Sequence, residues 1–234
     1  MGGPVGGPRP GRIDGAAPDT GPQTLDRPLA SAFYARPVEQ VAPQLLGCRL
    51  VVDAVVARIV EVEAYHQREG ASHGYRQPPR VSAPTTRTAV LFGPPGRGYV
   101  YRSHGLHACL NAVCETDGVA AGVLIRAVEV LAGFDLVRAR RAGRRDAELT
   151  SGPGRLTAAL GVTLDDDGVD LAAGRVRILP ARPDDRPVTP VRGPRIGITR
   201  AVDLPWRWAD ASSPDVSARL PPGMTRRPRR HRTG

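Results

Sequence analysis

Residues 58–65 read R-I-V-E-V-E-A-Y, and their side chains alternate with the period of two that indicates a β-strand. Successive side chains of a strand point to opposite faces, so one face would carry Val60, Val62 and Ala64. The opposite face would carry Ile59, Glu61, Glu63 and Tyr65. Two carboxylates beside an aromatic ring are unusual for a solvated strand face, and this face therefore predicts a functional site. The alternative is that both carboxylates are solubilising charges with arginine partners.

The composition favours one globular domain with an anionic partner. The chain has 234 residues, 41% of them hydrophobic, which is enough to bury a sizeable core, and no internal repeat or clear second domain is visible. Its formal net charge of +10 favours a polyanion as partner, with nucleic acid first. Five arginines in the last nine residues carry half of that charge, so the rest of the chain is only mildly basic.

All 33 basic side chains are arginine, and the chain contains no lysine. A Schiff-base mechanism needs an amine that can lose its proton, which a guanidinium cannot do. A bias in codon use or composition is the simplest cause of this pattern, and the absence of lysine has the same chemical consequence whatever its cause. Any reaction of this protein must proceed without a lysine imine.

The cysteines and the hydropathy pattern exclude several classes of protein. Cys48, Cys109 and Cys114 are odd in number and lack C-x-x-C spacing, which argues against a disulfide scaffold, a zinc ribbon or a four-cysteine cluster. Buried free thiols in a reducing cytoplasm fit better. No signal peptide and no apolar run of membrane-spanning length is present, so we expect a cytoplasmic protein without a membrane partner.

The distribution of glycine, proline and arginine predicts the domain boundaries. We expect one domain at residues 29–218, between a disordered Gly/Pro-rich arm at residues 1–28 and a disordered basic tail at residues 219–234. Residues 66–89 form a polar stretch too long for an ordinary connection in a compact domain. Such stretches are usually functional or disordered.

Periodicity and turn signals predict the remaining elements. Helices are expected at residues 37–46, 134–141 and 151–160, and the last has a proline near its first turn and a capped start. Strands are expected at residues 48–52, 54–57, 119–130 (as one strand or a pair), 176–179 and 195–199, with a β-hairpin turning at residues 102–105. Trp206 and Trp208 are placed in a surface loop. Arg126 lies among apolar neighbours and needs an acceptor, for which Glu63 is suitable.

Seven motifs stand in one order along the chain. They are R-I-V-E-V-E-A-Y (58–65), A-S-H-G-Y-R (71–76), F-G-P-P-G (92–96), Y-V-Y (99–101), H-G-L-H-A-C-L-N (104–111), V-L-I-R-A-V-E (123–129) and S-G-P-G-R-L (151–156). In this register the chain, from about Leu29 to Ala218, resembles the alkyladenine (3-methyladenine) DNA glycosylases. The resemblance implies a single compact α+β domain, with a curved antiparallel sheet, flanking helices and a protruding β-hairpin that enters the minor groove of DNA.

The resemblance also implies an activity and a partner. Enzymes of this family remove alkylated purines, and in many members hypoxanthine, from double-stranded DNA without a metal or cofactor. We therefore expect a monomeric, monofunctional glycosylase whose partner is duplex DNA with damaged purines. It would flip the damaged base out of the helix, and without lysine it would lack imine-type strand cleavage.

The family's functional residues match this chain position by position. Glu63 matches the catalytic carboxylate that activates the attacking water, and Arg126 matches the arginine beside that water. Tyr65 matches the ring on one face of the flipped base, while His73 and Tyr101 match the pair on the other face. The further matches are Tyr99, a second tyrosine of the pocket; Asn111, which resembles a gate against the guanine 2-amino group; and His104, the DNA-intercalating position at the hairpin tip.

Two departures from the family pattern affect these assignments. His104 stands where the family usually has an intercalating tyrosine, and it would stack less surface between base pairs. The segment between His73 and Phe92 is longer than usual, which leaves Arg80 and Arg87 competing for one family arginine.

Two other functions are compatible with the same residues. The departures motivate a nucleic-acid-binding protein that kept the scaffold without the chemistry. Glu61 and Glu63 as paired acids would suit a nucleoside or sugar hydrolase, because residues i and i+2 of a strand lie about 6–7 Å apart.

A metal site at the hairpin is not expected. His104 and His107 are three residues apart on a hairpin, and the sequence offers no third ligand beside them.

The basic tail generates a prediction of its own. Deleting the residues after Arg219 should weaken DNA binding and flatten its dependence on salt, because those arginines would contact phosphates. Single-turnover base excision should change little. Binding titrations over a range of salt, with excision assays beside them, test this, and loss of the chemistry itself would mean that the domain boundary is misplaced.

Overall fold

The sheet is built from nine strands within residues 27–76 and 82–218, the part of the chain that the computed structural model describes. The strands are β1 (Arg49–Val52), β2 (Val55–His66), β3 (Arg97–Ser103), β4 (His107–Val113), β5 (Ala121–Ala132), β6 (Val169–Asp170), β7 (Val176–Leu179), β8 (Pro190–Gly193) and β9 (Arg207–Asp210). The α-helices are α1 (Ser31–Tyr34), α2 (Val38–Gln44), α3 (Phe134–Arg140) and α4 (Pro153–Leu160). Short 3-10 turns lie at Val90–Phe92, Asp146–Glu148 and Leu164–Asp166.

The two longest strands form the centre of a curved, nearly closed antiparallel sheet. The strand order is β6-β3-β4-β5-β2-β1-β7, and β9 pairs with β2 and with β8. The core lies on the inner face of this sheet under α2 and α4, and it includes Leu45, Ile125 and Leu156. The expected fold is confirmed: one compact domain that combines a curved antiparallel sheet with a few helices.

Strand β2 does not keep the strict alternation that its sequence predicts. Ile59, Val62 and Ala64 all belong to the main core, although Ile59 has the opposite parity to the other two. The pairing with β5 becomes irregular where Glu61 lies opposite Ala127. Such irregularities change the face to which a strand directs its side chains. The prediction that Ile59 shares a face with Glu61 and Glu63 is therefore wrong.

Both edges of β2 are paired at the two carboxylates, with β5 on one side and β9 on the other. Glu61 and Glu63 themselves have no exposed surface. They are not solubilising charges on a wet surface, although both have arginine partners. A buried carboxylate needs donors, and the surrounding segments must supply them.

Most of the predicted elements are present. Helix α2 ends at Gln44, and the turn that follows it reaches Gly47, which has the positive φ of 84° that glycine tolerates. Residues 119–130 contribute to one long strand, β5, rather than to a pair. Helix α4 begins at Pro153, two residues after its predicted start, with Gly152 as N-cap and no side-chain cap.

Two predictions near the end of the domain are wrong. Residues 195–199 form a loop rather than a strand, because Gly197 has a φ of 73° that interrupts an extended conformation. Trp208 lies in β9 and is only 6% exposed, so it does not belong to a surface loop. Trp206 lies in the loop before β9, but it is half-buried and packs against the core.

The hairpin formed by β3 and β4 is braced by α4. Thr157 Oγ1 donates a hydrogen bond of 2.8 Å to the carbonyl oxygen of Ala108 in β4. A Cβ atom on Gly154 would lie 2.7 Å from the Cβ atom of His107, so glycine permits this close approach. The brace leaves the tip free, where Leu106 is 82% exposed.

Some expectations concern residues outside the described part of the chain. The predicted tail lies there, and so does the arm apart from its last two residues. No helix within residues 27–76 and 82–218 is long and apolar enough to cross a membrane.

The close approach at Gly154 predicts the effect of a substitution. Alanine usually stabilises a helix relative to glycine by about 0.5–1 kcal/mol. Gly154→Ala should instead destabilise the protein by about 1–2 kcal/mol, because the new methyl group overpacks against His107. Denaturant unfolding measures the change, and a stabilised variant would show that α4 does not constrain the hairpin in this way.

Candidate active site

The carboxylate of Glu63 is held by three donors from three parts of the chain. Its Oε1 atom accepts a hydrogen bond of 2.7 Å from the backbone N–H of Ile196. Its Oε2 atom accepts one of 2.8 Å from the hydroxyl of Tyr65 and one of 3.1 Å from Nη1 of Arg126. All three groups donate, which is the pattern that an ionised carboxylate accommodates. The sequence-based pairing of Arg126 with Glu63 is therefore present.

Glu61 organises the other side of Arg126. Its Oε1 atom accepts hydrogen bonds from Nε of Arg126 at 3.1 Å and from Nε of Arg207 at 2.8 Å. Ser217 donates two hydrogen bonds to Glu61, one from its hydroxyl and one from its backbone N–H. The same hydroxyl accepts a hydrogen bond of 3.2 Å from Arg126. Two carboxylates and two guanidiniums thus form a buried cluster in which the formal charges cancel.

The cluster keeps Arg126 charged in spite of its burial. Burial by itself disfavours the guanidinium, but the carboxylates of Glu63 and Glu61 outweigh it and raise the pKa of Arg126 above its ordinary value. Removing one member of such a buried set leaves an unpaired charge, which costs about 3–5 kcal/mol. The positions of the two carboxylates are therefore mutually dependent.

A cavity of about 350 Å³ lies in front of this cluster. Its volume falls within the usual range of about 300–1,000 Å³ for small-molecule sites. The site residues predicted from the sequence that line it are Tyr65, His73, Tyr99, Tyr101, His104, Asn111 and Arg126. Glu63 does not line the wall itself, but it is hydrogen-bonded to three residues that do: Tyr65, Arg126 and Ile196.

One wall of the cavity is aromatic. The rings of His73 and Tyr101 meet edge to face with centroids 4.4 Å apart, and those of Tyr99 and Tyr101 stack at 5.4 Å. Nδ1 of His73 lies 3.1 Å from the hydroxyl of Tyr99. Burial raises the pKa of Tyr99 to about 12, so its phenol is neutral at physiological pH. This wall offers polarisable ring surface without charge.

Tyr65 contributes to the cavity and to the carboxylate at once. Its ring lines the cavity, while its hydroxyl donates to Glu63. Burial, and then the charge of Glu63, raise the pKa of Tyr65 well above its usual range. The hydroxyl of Tyr65 therefore remains a hydrogen-bond donor. A ligand that packs against the ring would contact the same residue that donates to Glu63.

Arg195 is a site residue that the sequence did not reveal. Its guanidinium lies 4.6 Å from the centre of the Tyr65 ring and forms a buried two-point ion pair with Glu69 at 2.8 and 2.9 Å. It also donates to the carbonyl oxygen of Ala64. These contacts fix the loop from which Ile196 reaches Glu63. The Gly-Pro pair at residues 193–194 and Gly197 were the available signals for a loop.

Asn111 and His104 have distinct positions at the cavity. Nδ2 of Asn111 donates a hydrogen bond of 3.0 Å to the carbonyl oxygen of Tyr99 on the paired strand. This bond fixes the orientation of the Asn111 amide. His104 lies at the exposed hairpin tip with a φ of 48°, and its Nδ1 atom is 3.0 Å from Oγ of Ser103. Both residues border the same cavity.

Arg87 lies beside the aromatic wall, with its guanidinium 5.5 Å from the centre of the Tyr101 ring. Arg80, the other arginine considered for this place, lies outside the described residues. Within residues 27–76 and 82–218, no group of three or more histidine, cysteine, aspartate or glutamate side chains could hold a metal ion.

Comparison with known proteins identifies related sequences. Residues 32–214 match the family described as methylpurine-DNA glycosylase (MPG). A protein of Nitrobacter winogradskyi is 48% identical over 187 residues, which cover 80% of this chain and 86% of that protein. A protein of Bradyrhizobium diazoefficiens is 46% identical over 86% of this chain and 96% of its own length. A protein of Methanoculleus marisnigri is 45% identical over 82% of this chain and 99% of its own. Each is named "Putative 3-methyladenine DNA glycosylase".

The environment of His73 predicts a dependence of stability on pH. Burial, and then the charge of Arg87, lower the pKa of His73 to about 4 from its ordinary value of 6.5. As the pH falls from about 6.5 towards 4, the imidazole of His73 takes up a proton in the unfolded chain but not in the folded protein. The free energy of unfolding should therefore decrease, by up to about 3 kcal/mol near pH 4.

His73→Gln removes this group and should flatten the decrease. Urea unfolding of both proteins between pH 7 and pH 4.5 measures the difference. Parallel pH profiles would contradict a depressed pKa at His73.

Proposed function

The chain belongs to the methylpurine-DNA glycosylase family, and we propose that it excises methylated purines, 3-methyladenine among them, from duplex DNA. Members of this family are enzymes that hydrolyse N-glycosyl bonds of DNA. The observation that carries the finer proposal is the buried Glu63 carboxylate, joined by hydrogen bonds to Tyr65 and Arg126 at an aromatic cavity.

The first step of the proposed reaction is eversion of the damaged nucleotide. A base inside a duplex is out of reach, and taking it out costs a few kcal/mol. Stacking on one aromatic ring returns about 1–3 kcal/mol per base. A single ring barely offsets the cost, so we assign Tyr65 to one face of the base and His73 with Tyr101 to the other. His104 at the hairpin tip fills the gap left in the duplex.

The cavity suits the charge of the substrate. An N-methylated purine carries positive charge, and electron-rich rings attract it beyond ordinary stacking. The three tyrosines of the cavity are neutral donors or ring surfaces, and His73 with its lowered pKa adds no competing charge near pH 7. Asn111 is assigned as the gate against the guanine 2-amino group.

The second step is attack of water on the sugar carbon. A carboxylate offers about four acceptor positions, of which Ile196, Tyr65 and Arg126 occupy three on Glu63. The remaining position accepts a proton from the attacking water, and such general-base help contributes about 10²–10⁴ in rate. The negative charge also stabilises the cationic sugar of the transition state.

The leaving group and the missing lysine complete the mechanism. A cationic methylpurine departs as a neutral base, so its departure needs little help from an acid. With no lysine in the chain, the product is an abasic site in an unbroken strand. Glu61 differs from Glu63 because it accepts four hydrogen bonds, from Arg126, from Arg207 and from both the hydroxyl and the backbone N–H of Ser217. These occupy its roughly four acceptor positions, which argues against the paired-acid hydrolase.

Replacement of the carboxylate tests the proposed chemistry. Glu63→Gln should leave affinity for a duplex with 3-methyladenine nearly intact, because none of the stacking rings changes. Single-turnover release of the free base should fall by about 10²–10⁴. Chromatography of the released base measures the rate, and anisotropy of a labelled duplex measures the affinity.

Glu39→Gln, on the exposed side of α2, is the matched control and should behave as the parent protein. A thermal melt of each variant shows whether it is folded. Unchanged base release by a folded Glu63→Gln protein would refute the assignment. Tight binding without base release by the parent protein would favour a nucleic-acid-binding protein instead.

A further inference from the structure

A second cavity of about 440 Å³ adjoins the first. The two share a wall formed by Ser103, His104, Cys109 and Pro153. Beyond this wall the second cavity is bordered by the start of α4 and by the segment that follows α3. The residues of the catalytic cluster are not among its lining residues, so the proposed chemistry does not use it.

The second cavity is basic. Three arginines line it: Arg141, Arg144 and Arg155. Arg144 and Arg155 are exposed, and Arg141 is half-buried. Glu148 is the one carboxylate among the lining residues, and both of its oxygens are bonded to Arg145, at 3.0 and 3.2 Å. The cavity therefore has an excess of positive charge that its own acid does not neutralise.

Two neighbouring arginines outside the cavity have a structural role, because each is paired with a carboxylate. Arg138 forms a two-point ion pair with Asp146 at 2.8 and 3.2 Å, and Arg145 forms one with Glu148. Neither Arg138 nor Arg145 lines the cavity. Within the described part of the chain, the three lining arginines form no ion pair with a carboxylate.

The lining arginines repel one another. Partial burial, and then the charges of Arg144 and Arg155, lower the pKa of Arg141 below its ordinary value. Their remaining hydrogen bonds are long ones to neutral atoms, from Arg141 to the carbonyl oxygen of Glu148 at 3.5 Å and from Arg155 to Oγ of Ser151 at 3.3 Å. Like charges gathered around a cavity are stabilised when an anion enters it.

We propose that the second cavity binds backbone phosphates of the DNA strand whose purine enters the first cavity. Guanidinium groups match phosphate oxygens with two parallel hydrogen bonds, and the start of α4 adds backbone N–H groups at the same place. Because the two cavities share a wall, one strand can place a base in the first and its phosphates in the second. The inference rests on the proposed function in so far as its ligand is DNA.

The site would do more than add affinity. Phosphate contacts in the second cavity would hold the DNA strand on one side of the hairpin. Since α4 braces the hairpin through Gly154 and Thr157, these contacts would fix the DNA strand relative to the aromatic cavity. Phosphate contacts set register and orientation without reading sequence. That is the requirement of an enzyme that must act on a damaged base in any sequence context.

A pair of matched double variants tests the site. Arg144→Gln with Arg155→Gln removes two lining arginines, and Arg97→Gln with Arg138→Gln removes two that are paired with carboxylates outside the cavity, Asp170 and Asp146. Both doubles lower the net charge by the same amount. Affinity for an undamaged labelled duplex is measured from low to moderate salt, and each lost phosphate contact lowers the slope of log K against log salt by about 0.9.

The lining double should bind more weakly at low salt and lose about 2 from that slope, while the paired double keeps the slope of the parent protein. Equal slopes for the two doubles would overturn the inference, whether both fall or neither does. Thermal melts confirm that the compared proteins are folded.

The same proteins are then assayed on a methylated duplex. The loss in the lining double should appear mainly in the protein concentration needed for half-maximal excision. If the parent protein releases no base and yet the slope difference persists, the proposed function fails while the phosphate site stands.

Discussion

Two carboxylates with no exposed surface lie side by side in the central strand of the sheet, and the structure around them supplies the donors that they need. Arg126 comes from β5, Arg207 from β9, and the backbone N–H of Ile196 from a loop. A buried charge without partners would cost several kcal/mol, so these segments cannot be placed independently. The need to satisfy Glu61 and Glu63 thus links strands that are far apart in the chain.

The two carboxylates have different hydrogen-bond partners and therefore different roles. Glu61 faces Arg207 and Ser217 and holds Arg126 in position, whereas Glu63 meets the wall of the aromatic cavity through Tyr65, Arg126 and Ile196. A rigid donor set around a carboxylate is the kind of preorganisation that stabilises developing charge. Tyr65 connects the cavity to the carboxylate, since its ring lines the cavity and its hydroxyl donates a hydrogen bond to Glu63.

Local pattern was enough to predict the strand at residues 58–65, the hairpin and the pairing of Arg126 with Glu63, because each depends on periodicity or on a charge that needs a partner. It could not predict the irregular pairing at Glu61, which arises where β5 and β9 meet β2 from opposite sides. It also missed the loop of Arg195, whose ion pair with Glu69 joins residues 126 positions apart. Contacts of that range leave little trace in a local pattern.

A crystal structure of the Glu63→Gln protein with a duplex that carries one methylated purine would test the role assigned to Glu63. The proposed mechanism predicts an everted purine between Tyr65 and the pair of His73 and Tyr101. It also predicts a water molecule between the sugar and residue 63, within hydrogen-bond reach of about 2.6–3.2 Å. A purine still stacked in the duplex, or a purine in the cavity with residue 63 shut off from the sugar behind Tyr65 and Arg126, would contradict it.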